Sequence, residues 1–428
     1  MIRTTCRRMT RRGFLKGMTA AAAAPYVVPA SALGGEIPGT PGRRPAPSNR
    51  IAMGFVGVGG QGTIDMQGFM QFPEVQNVAV CDVDRRRRER AKEIAAAHYA
   101  KQKGGGTPKG CEEHVDFREL CARADIDAVF CATPEHLHGP VSCEAMRNGK
   151  DVYCEKPETL TIREGRVMVE TARRYARVFS GGSQRVWGDY HWFHRMTWGG
   201  ACGEVKEAVV NDGFTTSSDL LLPAEPVPEG FDWELYLGPA PWRPHNKAYH
   251  NGRWHSCRDF GGGSTTDGGA HHIGGALFAA RLHDKLPVEV SLSGRDGPPG
   301  RLMTFKYPNG VLLHLENRGG GASLSFRGTL GEVRDPRGGP RVAPPDVHIP
   351  NYKGRGGIFG DFLHCVKTRE RPFRDIELAH NTMVVCHLAN IATWVGRSLK
   401  FDPVKEEIIG DEEANRWVDR PRRAARAL

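Results

Sequence analysis

The chain has 428 residues, 39% of them hydrophobic and 25% charged, with 53 glycines and 29 prolines. That is room for two domains with sizeable cores at an ordinary soluble balance, which excludes fibrous and disordered classes, and no periodic repeat points to a solenoid. The formal charge is +10, but Arg3, Arg7, Arg8, Arg11, Arg12 and Lys16 stand in residues 1–32 with no acid, so the remainder carries only +4. That is too mild to argue for a nucleic-acid partner.

Residues 1–32 read as a targeting segment. Thr10-Arg11-Arg12-Gly13-Phe14-Leu15-Lys16 precedes an alanine-rich, weakly apolar stretch and then Ala30-Ser31-Ala32, a small-x-small cleavage site. The segment resembles a twin-arginine signal, and its apolar part is too short to make a stable membrane anchor. The resemblance implies the twin-arginine export machinery as a partner, a periplasmic or cell-envelope destination, and folding before export. Eleven cysteines with no C-x-x-C pair fit buried thiols rather than a disulfide framework. Residues 33–50 are expected to be a linker, 51–178 a nucleotide-binding domain and 179–428 a substrate domain.

Ile51 to Val58 is an apolar run of strand length that leads into Gly57-Val58-Gly59-Gly60-Gln61-Gly62. In such a G-x-G-x-x-G the first glycine permits a tight turn, the second lets backbone approach a pyrophosphate, and the third lets the next helix pack on the strand. Val78 to Cys81 reads as a second parallel strand. It ends at Asp82, 20 residues after Gly62, where a carboxylate suits the ribose hydroxyls of NAD. Arg85-Arg86-Arg87-Arg88 at the start of the next helix opposes the helix dipole. Adenine stacking, a 2′-phosphate or a solvated face each explain it, so NAD is expected and NADP stays open.

Arg85 to Ala100 and Phe117 to Arg123 are predicted helices, with a glycine-rich loop from Lys101 to Lys109 between them. Asp127 to Cys131 is a predicted strand, followed by a turn from Thr133 to His138 and a helix over Gly139 to Asn148. Asp151 to Cys154 is another buried strand, which puts Glu155, Lys156 and Pro157 at the carboxyl edge of the sheet, where such folds bind ligands. Strand, helix, strand in this order predicts an α/β fold with a parallel, doubly wound sheet of the Rossmann type. His136 and His138 reach cofactor or substrate from that turn, or else cap and pack the helix.

With the glycine loop, Asp82, Thr133-Pro134-x-His136 and Glu155-Lys156-Pro157 in place, the chain resembles the Gfo/Idh/MocA family of NAD(P)-dependent oxidoreductases. It is most similar to exported, planctomycete-type members, which share Trp233-Glu234-Leu235-Tyr236-Leu237-Gly238-Pro239-Ala240-Pro241. The strand candidates Val205 to Val210, Val288 to Leu292, Met303 to Lys306, Val311 to Leu315 and Ser323 to Phe326 would then form the family's large open, mainly antiparallel sheet. Ile358 to Lys367 and Glu377 to Arg397 read as closing helices. A homo-oligomer is expected from the same resemblance.

The resemblance also implies the site. Lys156, Asp267 and His271 form a catalytic set, with Asp267 and His271 four apart on one helical face. Gly57, Gly59, Gly60, Gln61, Gly62, Asp82, Thr133, Pro134, His136, Glu155, Lys156 and Gln184 hold the cofactor, and Arg185, His271 and His272 contact a carbohydrate. In that reading His271 accepts a hydroxyl proton while Asp267 orients its ring and Lys156 hydrogen-bonds the same oxygen. Trp187, Tyr190, Trp192, Trp233 and Tyr236 stack on a sugar or belong to the core. No metal is expected, because His136, His138, His271 and His272 lack zinc-site spacing.

Gly268, Gly274 and Glu158 depart from the exported relatives' pattern. The function implied is hydride transfer to a sugar, polyol or glycoside with a tightly held cofactor. An NAD-dependent glycoside hydrolase working by transient oxidation and elimination is one alternative, and a non-catalytic carbohydrate-binding protein another.

Overall fold

Six short strands, apolar at the centre of the sheet and polar at its β3 edge, build the first sheet: β1 (Ile51–Val56), β2 (Val75–Cys81), β3 (Glu112–His114), β4 (Ala128–Cys131), β5 (Asp151–Cys154) and β6 (Phe179–Gly181). All pair in parallel, in the order β3-β2-β1-β4-β5-β6. β4 and β5 are buried at every position, as strands covered on both faces must be. The computed structural model describes residues 49–101, 110–293, 300–335, 341–354 and 356–423. The expected signal, nearly all of the linker and the glycines of the 101–109 loop lie outside those residues.

Two cores flank this sheet. Val56, Val129, Val141, Met168 and Phe179 pack on one side. On the other, Phe69 meets Phe130 at 5.8 Å and Tyr153 at 5.1 Å between ring centres. The helix Gly357–Thr368 adds Ile358, Phe362 and Leu363 to this second core, so a late segment of the chain completes the nucleotide half. One boundary differs from expectation: the helix after β4 runs Glu135–Arg147, with Pro134 at its N-cap and acidic Glu135 in its first turn. A fixed proline φ followed by an acid favours a helix start there. His136 and His138 are therefore helical and buried rather than displayed on a turn.

The second sheet contains β7 (Val205–Asn211), β8 (Glu289–Leu292), β9 (Arg301–Lys306), β10 (Leu312–Glu316), β11 (Ser323–Gly328), β12 (Gly331–Arg334), β13 (Leu399–Asp402) and β14 (Glu407–Ile408). Its order is β12-β11-β7-β10-β9-β8-β13-β14. β7 and β10 pair in parallel and the other neighbours antiparallel. Alternate residues such as Ala208, Val210, Phe305, Leu313, Leu315 and Phe326 point into one core. The helices Gly269–Ala279 and Ile376–Val395 cover that face through Ile273, Leu277, Val384 and Leu388. Among the described residues no helix is long and apolar enough to cross a membrane, and the ten described cysteines are free, nine of them buried.

Candidate functional site

The carboxyl edge of the first sheet carries a cavity of about 420 Å³, within the range of ordinary ligand sites. Gly57, Gly59, Gly60, Gln61, Gly62, Asp82, Thr133 and Pro134 all line it. Gly57 has φ +81°, and a Cβ there would stand 2.6 Å from the Ala132 carbonyl; at Gly62 it would stand 1.8 Å from the Gly57 oxygen. Both positions therefore require glycine. Gly60, Gln61 and Gly62 open the helix Gly60–Met70 at the cavity wall, so its first amides, which have no acceptor inside the helix, stand where a pyrophosphate would bind.

Asp82 is held rigidly at the end of β2, its carboxylate accepting from the Val58 amide at 3.0 Å and the Asp84 amide at 3.0 Å. Burial pushes its carboxyl up, against the nearby charge of Arg87. The arginine run resolves residue by residue. Arg87 lines the cavity beside Gly59. Arg88 is buried and donates to the Asp82 carbonyl at 2.6 Å, while Arg86 pairs with the N-cap Asp84 at 3.1 Å. Asp84 thus offsets the cations that oppose the helix dipole. This glycine cradle, open helix start and ribose-side carboxylate fit a dinucleotide.

The far wall comes from the second half of the chain. Leu235 and Tyr236, on the short helix Trp233–Leu237, and His250, Trp254 and His255 close over the glycine loop. Asp232 caps that helix by accepting from the Leu235 amide at 2.8 Å. His136 does not line the cavity. It is fully buried, with Nε2 2.8 Å from the Tyr236 carbonyl and its ring against Phe260, so it fastens the Trp233–Leu237 helix instead of touching a cofactor.

Lys156 leaves the end of β5 and its Nζ donates to Asp267 Oδ1 at 2.5 Å. Burial pushes the Asp267 carboxyl up, but the charge of Lys156 and its hydrogen bond outweigh this, and the carboxyl sits below its ordinary value. The expectation that Asp267 orients His271 is corrected. The helical hydrogen-bond ladder is interrupted at Gly268, between the turn Ser264–Asp267 and the helix Gly269–Ala279, where the His271 amide bonds to the Gly268 carbonyl at 3.0 Å. His271 Nδ1 instead meets Ser183 Oγ at 2.6 Å. Burial, then the charges of Lys156 and Arg374, push the His271 ring down to about 2, so it is neutral.

His255, absent from the sequence reading, joins the two regions. Its ring lines the cavity and lies near enough to Asp267 and Lys156 to feel both charges, although burial is what chiefly lowers it. Glu155 is buried, and burial and Asp65 raise it well above its ordinary value. Gln184 donates to its Oε1 at 2.7 Å, so Glu155 and Gln184 support the lysine segment from behind. Arg185 pairs with Asp189 at 2.5 Å on the surface. His272 is buried, bonded to the Tyr190 hydroxyl and 3.4 Å from Asp212, which places it in the core rather than at a substrate. Of the candidate stacking aromatics, Trp187 lies flat on Tyr352 at 3.7 Å, and Tyr190, Trp233 and Tyr236 are buried.

The unusual glycines have local causes. A Cβ at Gly268 would stand 2.7 Å from Asp212 Oδ2, the partner of His272. A Cβ at Gly274 would stand 3.0 Å from Arg374 Nη1. Arg374 in turn donates to Glu158 Oε1 at 2.9 Å, with the two side chains 4% and 0% exposed. Glu158 and Gly274 are thus two ends of one substitution: a buried ion pair and the space it needs.

Comparison with known proteins agrees with this geometry. Residues 51–183 match the model described as the oxidoreductase family, NAD-binding Rossmann fold, and residues 205–428 that of its C-terminal alpha/beta domain. A "Glycosyl hydrolase family 109 protein" from Shewanella sp. (strain W3-18-1) is 34% identical over 124 residues, 29% of this chain, which spans only about a quarter (26%) of that relative. The aldose-aldose oxidoreductase from Caulobacter crescentus has the same fold at TM-score 0.57 and 19% identity, over 82% of this chain and 100% of that one. The scyllo-inositol dehydrogenase from Lactobacillus casei, solved with NAD(H) and scyllo-inositol, gives 0.56 and 17%, over 82% and 99%. A glycine cradle under a ribose-side carboxylate, a lysine at the end of β5 and an open sheet behind it, matched over both halves, make this chain a member of the Gfo/Idh/MocA oxidoreductase family with its NAD-binding domain.

Proposed function

We propose that the chain is an exported oxidoreductase that takes a hydride from a carbinol carbon of a sugar, polyol or glycoside and returns it within the same cycle. One observation carries the reading: the 2.5 Å Lys156–Asp267 pair, with His255 on its cavity side and neutral His271 close enough to Lys156 to feel its charge. A bound nicotinamide supplies the hydride acceptor and donor. Lys156 Nζ donates to the carbinol oxygen and steadies its developing charge, while Asp267 fixes the ammonium. In the tautomer in which Nδ1 donates to Ser183 Oγ, His271 Nε2 carries the lone pair that takes the hydroxyl proton.

Export rests on the Arg11-Arg12 segment and Ala30-Ser31-Ala32. No free nicotinamide pool is expected outside the cytoplasmic membrane, so a cofactor that dissociated would end turnover. Retention of the cofactor and return of the hydride follow from that.

A second reading is favoured by His255. Elimination across a glycosidic bond needs a proton acceptor for carbon as well as one for the hydroxyl, and the site offers two imidazoles near Lys156. The test is a panel of free sugars and aryl glycosides added to protein carrying its own nucleotide. A sugar-dependent change in reduced-nicotinamide absorbance with no aglycone released supports the first reading. Aglycone release without net reduction supports the second. Nucleotide-loaded protein silent across the panel contradicts both.

A further inference from the structure

Behind the turn that faces the cofactor, two thiols and an imidazole meet in the core. Cys131 ends β4 and Cys154 ends β5, paired in register across the parallel ladder. His138, on the first turn of the helix Glu135–Arg147, faces them. One ligand atom from each of the three residues lies within 4.8 Å of the other two, and all three side chains are buried. The His138 tautomer is fixed: Nδ1 lies 2.6 Å from the Pro157 carbonyl, which can only accept, so Nδ1 donates and Nε2 carries a lone pair. That Nε2 is buried and has no hydrogen-bond partner. A bare acceptor of this kind costs about 1–3 kcal/mol when left unsatisfied.

We propose that Cys131, His138 and Cys154 bind one thiophilic d10 cation, zinc(II) or copper(I). Two thiolates and a neutral imidazole are the donors such ions select. Bonds of about 2.3 Å to sulfur and about 2.0–2.1 Å to nitrogen place the ligand atoms about 3.5–4 Å apart, so binding draws the three side chains closer together. Binding releases the two thiol protons to solvent and changes no oxidation state. With zinc(II) the two thiolates leave the buried site neutral, while copper(I) suits three ligands. The Pro157 carbonyl on Nδ1 orients the imidazole, and Thr133 Oγ1, 3.5 Å from Cys131 Sγ, is placed to donate to the thiolate. The ion ties the ends of β4 and β5 to the helix, and so steadies both the Thr133-Pro134 turn and the segment carrying Lys156. Because the site is closed, the ion enters as the chain folds.

The test uses the full chain produced in zinc-supplemented and in copper-supplemented medium, washed with a chelator to strip surface metal, and analysed by elemental mass spectrometry. One ion per chain is expected, lost in the Cys131→Ser/Cys154→Ser variant, and the supplemented arm that retains it identifies the ion. Should that variant fail to fold, X-ray absorption at the metal edge of the unaltered chain reads the site directly, with two sulfur neighbours and one nitrogen neighbour expected. Metal-free protein from both arms, the same metal content in the folded variant, or a Cys131–Cys154 disulfide in the unaltered chain contradicts the proposal.

Discussion

Lys156→Ala is expected to slow sugar-dependent reduction of the bound cofactor by about 10²–10³-fold, the usual effect of removing one donor aimed at a developing oxyanion. Nucleotide retention should be unchanged, because the glycine cradle and Asp82 line the cavity and Lys156 does not. Loss of the ammonium also leaves Asp267 without the partner that lowers its carboxyl, so Lys156→Ala/Asp267→Ala should be no slower than Lys156→Ala alone. Lys156→Arg keeps the charge but not the compact ammonium, and should recover stability rather than rate. Single-turnover absorbance measurements separate these outcomes. A rate within threefold of the unaltered chain would remove Lys156 from the chemistry.

The second large effect concerns stability. Glu158→Leu or Arg374→Leu alone should each cost about 3–5 kcal/mol, because either leaves a buried charge unpaired. Glu158→Leu/Arg374→Leu should recover most of that loss, since an apolar pair of similar volume is often neutral in such a place. Denaturant unfolding followed by circular dichroism gives the three values. Additive losses would mean that the two residues act separately, despite their 2.9 Å contact. Arg374 Nη2 also lies 3.4 Å from the Ala270 carbonyl, so its removal loosens the start of the helix that presents His271. The stabilised double variant should therefore remain slower than the unaltered chain.

These two predictions mark where the sequence was legible and where it was not. Periodicity and glycine spacing sufficed for β1, β2, β4 and β5, because these central strands are largely buried and the glycine loop obeys a tight steric rule, whereas the edge strand β3, Glu-Glu-His and partly exposed, carries no apolar signal. Asp82, Thr133 and Pro134 followed from their places at strand ends. The failures came where side chains choose partners across long sequence separations. A spacing of four was read as an Asp267–His271 partnership, yet Asp267 turns to a lysine 111 residues away and His271 to Ser183, 88 away. His136 was read from its motif as a cofactor contact, but the helix starts at Glu135 and turns it into the core. His255 lies in a loop with no periodic signal, and only the fold brings it to the cavity. Gly274 departs from the relatives' pattern because Arg374, far along the chain, occupies the space a side chain would need.

The central claim is that this family member carries its nicotinamide through the whole reaction cycle. Its most direct test is to purify the folded chain from the cytoplasm without added nucleotide, release what is bound with acid, and identify it by mass spectrometry. The account predicts stoichiometric NAD(H). Protein that arrives without nucleotide and takes up none on addition would contradict it.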